Sequence, residues 1–203
     1  MTRVDRPFFS RYTPDVARDV LGCVLVREMD GLVLRARIVE VEAYRGADDP
    51  ASHSYRGMTK RTSVMFGEPG HAYVYFTYGN HHCLNLTTEA EGEPGAVLIR
   101  AVEPLEGIGE MRKRRGVEEL TSLTSGPGKL TKAMGIDLHL NGEDVVKSKE
   151  LFVLYGRRIE EVAVSTRIGI SSGQEKLWRY YLEGNAFVSG ARTHNYRTRE
   201  SVR

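Results

Sequence analysis

The run Ile38-Val39-Glu40-Val41-Glu42-Ala43-Tyr44 puts two carboxylates where the surrounding pattern calls for buried apolar residues. Counting back by twos from Glu42 gives Glu40, Ile38, Ala36, Leu34 and Leu32, so regular strand alternation predicts both acids on the strand's most apolar face. An ionised carboxylate away from water is costly unless it is paired or hydrogen-bonded. Such a pair is therefore either a satisfied structural network, closed by core hydrogen bonds or an arginine, or a piece of chemistry.

A chain of 203 residues with 40% hydrophobic content can bury one substantial core, and a single domain spanning 1–203 is expected. Lys and Arg outnumber Asp and Glu by only 29 to 27, so any attraction to nucleic acid must come from local patches. Cys23 and Cys83 are far apart and lack paired spacing, which fits reduced thiols in a cytoplasmic protein. No stretch approaches the roughly eighteen apolar residues of a membrane span, so no membrane association is expected. Gly190 to Arg203, with Arg192, Arg197, Arg199 and Arg203, reads either as a basic tail adding phosphate contacts or as a frayed end.

Thr13-Pro14-Asp15 predicts a helix start with Thr13 as its cap, ending before Gly22. Strands are expected at Cys23–Glu28 and Leu32–Glu42, joined through Asp30-Gly31, a strong hairpin signal. Gly46 to Gly70 is a long polar excursion of the kind that lines sites. Ala72–Tyr78, His82–Thr87 and Ala96–Glu103 read as strands, Pro104 as the opening of a helix over Leu105–Arg115, and Ser125-Gly126-Pro127 as the start of another ending at Gly135. Leu151–Tyr155 and Val162–Ile170 are expected as late strands. The class is α+β: a curved, mainly antiparallel sheet with flanking helices and a protruding hairpin.

Within this frame four groups stand out. Glu42, at the end of its strand, can hold and activate a water beside the flat face of Tyr44. In Tyr73-Val74-Tyr75-Phe76-Thr77-Tyr78-Gly79-Asn80-His81, Gly79-Asn80 reads as a two-residue turn that leaves Tyr78 and His81 flanking an exposed tip. A rigid hairpin presenting a flat side chain suits a wedge for a base stack, whereas Tyr73 reads as an ordinary cross-strand aromatic. Lys129, in the first turn of a helix whose dipole it opposes, points either to a phosphate held there or to a solvated surface lysine. The adjacent His81 and His82 lack metal-site spacing, and no metal is expected.

In order and spacing these blocks, together with His53-Ser54, Cys83-Leu84-Asn85, Leu98-Ile99-Arg100-Ala101-Val102-Glu103-Pro104-Leu105-Glu106-Gly107 and Ser125-Gly126-Pro127-Gly128-Lys129-Leu130, resemble the alkyladenine (3-methyladenine) DNA glycosylase family, the type without the helix-hairpin-helix motif. The likeness runs from about Phe8 to Ser189. It implies a monofunctional hydrolase that expels alkylated purines from double-stranded damaged DNA and cuts the N-glycosidic bond with water, initiating base excision repair as a cytoplasmic, nucleoid-bound monomer without cofactor or strand cleavage. By the same resemblance Glu42 is the general base on a water shared with Arg100; Tyr44, His53 and Tyr75 enclose the expelled base; Asn85 lies at the pocket floor; and Tyr78 fills the vacated stack. Animal members carry bulkier residues where this chain has Asn80 and His81, which implies a smaller wedge and a weaker hold on DNA. Two rivals remain at this level: Glu40 and Glu42 as an acid and base pair for sugar hydrolysis, with only Trp178 available as a tryptophan platform, and a noncatalytic nucleic-acid-binding module, which has no use for a buried Glu42.

Overall fold

A computed structural model describes residues 2–77 and 79–190 of the chain. Eight strands form one sheet: β1 (Val24–Met29), β2 (Leu32–Tyr44), β3 (Ala72–Thr77), β4 (His81–Thr88), β5 (Gly95–Glu106), β6 (Leu151–Leu154), β7 (Ala163–Ser165) and β8 (Arg179–Tyr181). Their order is β3-β4-β5-β2-β1-β6, with β8 paired to both β2 and β7. Every strand pairing described is antiparallel, and the sheet curls into a half-barrel. The helices α1 (Arg6–Phe9), α2 (Thr13–Asp19), α3 (Ile108–Arg115) and α4 (Pro127–Met134) complete an α+β fold. Among the described residues no helix is long and apolar enough to cross a membrane.

The 13-residue β2 is the spine of the sheet. One edge pairs with β5, while the other pairs with β1 over Leu32 to Arg37 and with β8 over Glu40 to Glu42. At the change of partner the β2–β5 register slips: Ile38 faces Val102, Glu40 faces Ala101 and Val41 faces Ile99, so Val39 and Arg100 have no direct opposite. Each is a β-bulge, and a bulge reverses which face every later side chain occupies. The expectation that Glu40 and Glu42 share the face of Leu34, Ala36 and Ile38 is therefore corrected. Past the bulge, Val41 and Ala43 continue the main core, while Val39 joins a small second cluster with Ala101, Phe187 and Val188. Both acids stay fully buried, on the side covered by the C-terminal segment.

The β1–β2 turn is Asp30-Gly31, both at positive φ (50° and 77°), as this hairpin type requires. Four boundary expectations shift. Pro104 lies inside β5 opposite Ala36, at a register slip where its missing N–H is harmless, so α3 starts only after Gly107. The last described pair of the β3–β4 ladder is Thr77 with His81, not the pair next to Gly79-Asn80 that a two-residue turn requires. Of Val162–Ile170 only β7 is strand, and β8 was not expected. Tyr78 and the basic stretch 191–203 lie outside the described residues.

Thr13 opens α2 but does not cap it by its own side chain. The buried Glu89 does so from across the chain: its Oε1 accepts from Thr13 N at 2.8 Å, Thr13 Oγ1 at 2.7 Å and Arg45 Nε at 3.0 Å. An acid at a helix N-terminus is favourable, and removing it orphans the buried Thr13 N–H and takes the ion-pair partner from Arg45 Nε. Glu89→Ala is expected to lower stability by about 1–3 kcal/mol, measurable by denaturant unfolding.

Candidate active site

One cross-strand row carries most of the site. Tyr73 on β3 faces Asn85 on β4, Asn85 faces Leu98 on β5, Leu98 faces Glu42 on β2, and Glu42 faces Arg179 on β8. Residues in such a row share a face, with neighbouring strands about 4.8 Å apart. Tyr75 and Cys83, one row toward the hairpin tip, face one another.

The two glutamates are satisfied differently. Glu40 accepts four hydrogen bonds: at Oε1 from Arg100 Nε (3.0 Å), Arg179 Nε (2.7 Å) and Ser189 Oγ (2.8 Å), and at Oε2 from Ser189 N (2.5 Å). Three of the four, both guanidiniums among them, fall on Oε1. Glu42 accepts three among the described residues: at Oε2 from Arg100 Nη1 (3.2 Å) and the Tyr44 hydroxyl (2.8 Å), and at Oε1 from Ile168 N alone (2.7 Å). Glu40 is thus the arginine-clamped structural acid. Glu42 keeps acceptor capacity on Oε1, the oxygen that touches no cation.

Arg100, 8% exposed, bridges both acids because its bulge aims it at them. Burial opposes its charge, but Glu42 and then Glu40 hold its pKa above the usual arginine value. Burial, and then the charge of Glu42, push the Tyr44 phenol far above its ordinary range, so it stays a hydrogen-bond donor. Behind Tyr44 lies a second ion pair, not foreseen from the sequence. Arg167 binds Asp49 in a fork (2.6 and 2.7 Å), both side chains fully buried, and its guanidinium stacks 4.7 Å from the Tyr44 ring centroid. Arg167 also donates to Ala43 O at 3.0 Å, tying the segment that contains Ile168 to β2.

Two of the expected aromatic residues, His53 and Tyr75, form a cluster with Tyr73 on the other side of the row, while Tyr44 lies apart, against Arg167 and Glu42. His53 meets Tyr75 edge to face at 4.7 Å between centroids, and its Nδ1 lies 3.1 Å from the Tyr73 hydroxyl. Burial, and then the charge of Arg61, push the His53 pKa down to about 4, so the ring is neutral near pH 7. Tyr75 is raised by burial first and then by Cys83. Asn85 is buried and spends an amide hydrogen on Tyr73 O at 2.9 Å. Tyr73, read from the sequence as an ordinary cross-strand aromatic, is thus the hinge of this cluster. The Cys83 thiol, raised mainly by burial, also senses Arg100 and Glu42, so the aromatic and acidic groups are near neighbours.

The hairpin and α4 meet. A Cβ on Gly128 would come within 2.8 Å of the His81 ring, so only glycine lets the imidazole pack there. This brings exposed Asn80 and His81 beside exposed Lys129, whose Nζ lies 3.4 Å from Ser125 Oγ. Ser125 in turn bridges to Ala101, next to Arg100. Much of the basic run in α3 is occupied: Arg114 pairs with Glu110 and Arg115 donates to Leu123 O. Elsewhere, Glu68, His71 and Asp144 lie close enough together to hold a metal ion, but Arg6 already supplies positive charge there, 2.6 Å from Asp144 and 3.4 Å from Glu68.

Arg167, Asp49, Arg179, Ser189, Ile168 and Arg61 escaped the sequence reading. Two of them carried the signal that flagged the glutamates: Arg167 interrupts Val162–Ile170, and Arg179 interrupts Trp178-Arg179-Tyr180-Tyr181, each a charge within an apolar run.

Residues 7–186 match the family model described as methylpurine-DNA glycosylase. A protein of Carboxydothermus hydrogenoformans named as a 3-methyladenine DNA glycosylase is 50% identical over 186 residues, covering 91% of this chain and 97% of the relative. Similarly named proteins of Clostridium perfringens (46% identical, 92% and 98% covered) and Methanocella arvoryzae (47% identical, 93% and 96% covered) agree. The extent of these matches shows that the chain belongs to the methylpurine-DNA glycosylase family.

Proposed function

We propose that the protein is a monofunctional 3-methyladenine-type DNA glycosylase, which hydrolyses the N-glycosidic bond of alkylated purines expelled from double-stranded DNA and so initiates base excision repair. The observation that carries the mechanism is the asymmetry of Glu42: a buried carboxylate whose Oε2 is held by a cation and a phenol while Oε1 keeps acceptor capacity.

In this mechanism Glu42 Oε1 takes a proton from a water as the water oxygen bonds to the sugar C1′. The C1′–N bond breaks, and its electron pair leaves with the base. An alkylated purine that is already cationic departs neutral and needs no acid. Developing positive charge on the sugar is stabilised by the nearby carboxylate, while Arg100 and Ile168 N–H fix its orientation. Tyr44, His53 and Tyr75 stack on the expelled base over Asn85, and a neutral His53 adds no charge against a cationic lesion. The two guanidiniums on Glu40 Oε1 speak against the acid–base pair of a carbohydrate hydrolase, since they hold Glu40 as an ion-paired structural acid rather than a proton donor. Tyr78, by its place in the sequence, is the wedge, with Asn80, His81 and Lys129 contacting the flanking DNA backbone. The enzyme works as a cytoplasmic monomer.

Glu42→Gln is expected to leave the fold intact and to lower release of free base from methylated duplex by about 10²-fold or more, in single-turnover assays. Unchanged release would overturn the mechanism. Glu40→Gln, by contrast, is expected to act first on stability, by about 3–5 kcal/mol, because it leaves Arg179 and Arg100 undercompensated.

Tyr78→Ala is expected to weaken damaged-duplex binding about tenfold while excision from a single strand falls much less; equal losses on both substrates would count against the wedge.

The His53 pKa of about 4 lies below its unfolded value, so the unfolded chain takes up the proton first on acidification. The contribution of the neutral ring to stability is full above the ordinary histidine pKa and declines as pH falls from there toward about 4. An NMR titration of the His53 ring with a midpoint near 4 supports this; a midpoint at the ordinary value contradicts it.

A further inference from the structure

Arg61 belongs to the polar excursion between β2 and β3, yet its guanidinium reaches into the aromatic cluster, with Cζ 4.8 Å from the centroid of Tyr75. Among the described residues it pairs with no carboxylate, unlike Arg45, Arg100, Arg167 and Arg179, each of which is held by one. It is therefore a positive charge held on the Tyr75 ring with no ion-pair partner. Four groups register that charge: it lowers His53 and works against the upward shifts of Tyr73, Tyr75 and Cys83. His53 and Tyr75 are two of the three rings assigned above to the expelled base.

A guanidinium on an electron-rich ring uses the attraction that would hold a cationic purine there. Two cations cannot share one small aromatic cluster without repulsion, and although Arg61 is exposed and its charge partly screened, a purine seated on Tyr75 would lie within a few ångströms of it. A neutral purine meets no such penalty and can stack against the planar guanidinium.

Resting on the glycosylase reading of this pocket, we propose that Arg61 is a specificity-determining residue: its guanidinium on Tyr75 weights the pocket against purines that carry a formal positive charge and toward neutral ones.

The test compares wild type, Arg61→Gln and Arg61→Lys on two duplexes, one carrying 7-methylguanine, a cationic base, and one carrying hypoxanthine, a neutral base. Single-turnover release is measured for each, with the His53 ring titrated by NMR in the free proteins. Arg61→Gln is expected to raise the ratio of 7-methylguanine to hypoxanthine release by about threefold or more and to move the His53 midpoint upward, while Arg61→Lys keeps both near wild type. An unchanged ratio overturns the proposal, including the case where both rates fall together, as loss of a plain phosphate contact would make them do. An unmoved His53 midpoint overturns the placement of the charge whatever the rates. Release of neither base by wild type overturns this inference, and absence of 3-methyladenine release from methylated duplex as well refutes the glycosylase reading.

Discussion

Arg100 held between Glu40 and Glu42 is the interaction on which the rest of the site depends. With Arg179 on Glu40 and Arg167 on Asp49, three acids and three arginines are brought together under the C-terminal segment. Desolvating so many charges gives little net stability, and hydrophobic replacements would hold a sheet together at least as well. What the network supplies is position. Each guanidinium has a fixed planar set of donors, so a carboxylate held by two of them, or by one together with a backbone N–H, has little freedom to rotate. Removing Glu40 leaves both Arg179 and Arg100 undercompensated, whereas without the charge of Glu42 Arg100 still has Glu40.

The network exists because two bulges face one another. Without the slip at Val39, Glu40 and Glu42 would point into the main apolar core beside Leu34, Ala36 and Ile38, where no arginine waits; without the slip at Arg100, the guanidinium would not face them. The same place on β2 is where pairing passes from β1 to β8, so the strand that delivers Arg179 docks where the acids emerge. Bulges commonly re-aim side chains next to active sites, and here a matched pair moves three charges to one face at once.

This geometry also explains what could be read from the sequence. Burial of both glutamates was legible because charges at strand positions among apolar neighbours are rare, and so were the hairpins, whose turn residues act locally. The face was not legible. A one-residue bulge leaves no mark in a period-two pattern except that alternation stops making chemical sense, and in Ile38-Val39-Glu40 that sign was read as buried acids on the core face. Arg179 and Ser189 were invisible for another reason: they satisfy β2 from far along the chain, through β8 of three residues and through irregular backbone, neither of which has a periodic signature. The demand for partners was nevertheless implied, since buried acids need cations, and Arg167 and Arg179 were the arginines set among apolar residues in the later part of the chain.

The charges around the proposed base pocket pull in opposite directions. With His53 held neutral, no described group on the aromatic side is a ready acid at neutral pH, so hydrolysis favours purines that already carry positive charge and can leave without being protonated. The unpaired guanidinium of Arg61 disfavours holding those same purines against Tyr75. Cationic lesions then gain in the chemical step and lose in binding, while neutral lesions do the reverse. In the proposed enzyme, a pocket that spreads its electrostatic preference over two steps narrows the difference between cationic and neutral purines. Undamaged purines, also neutral, gain nothing in the chemical step and must first bear the full cost of leaving a firmly stacked duplex.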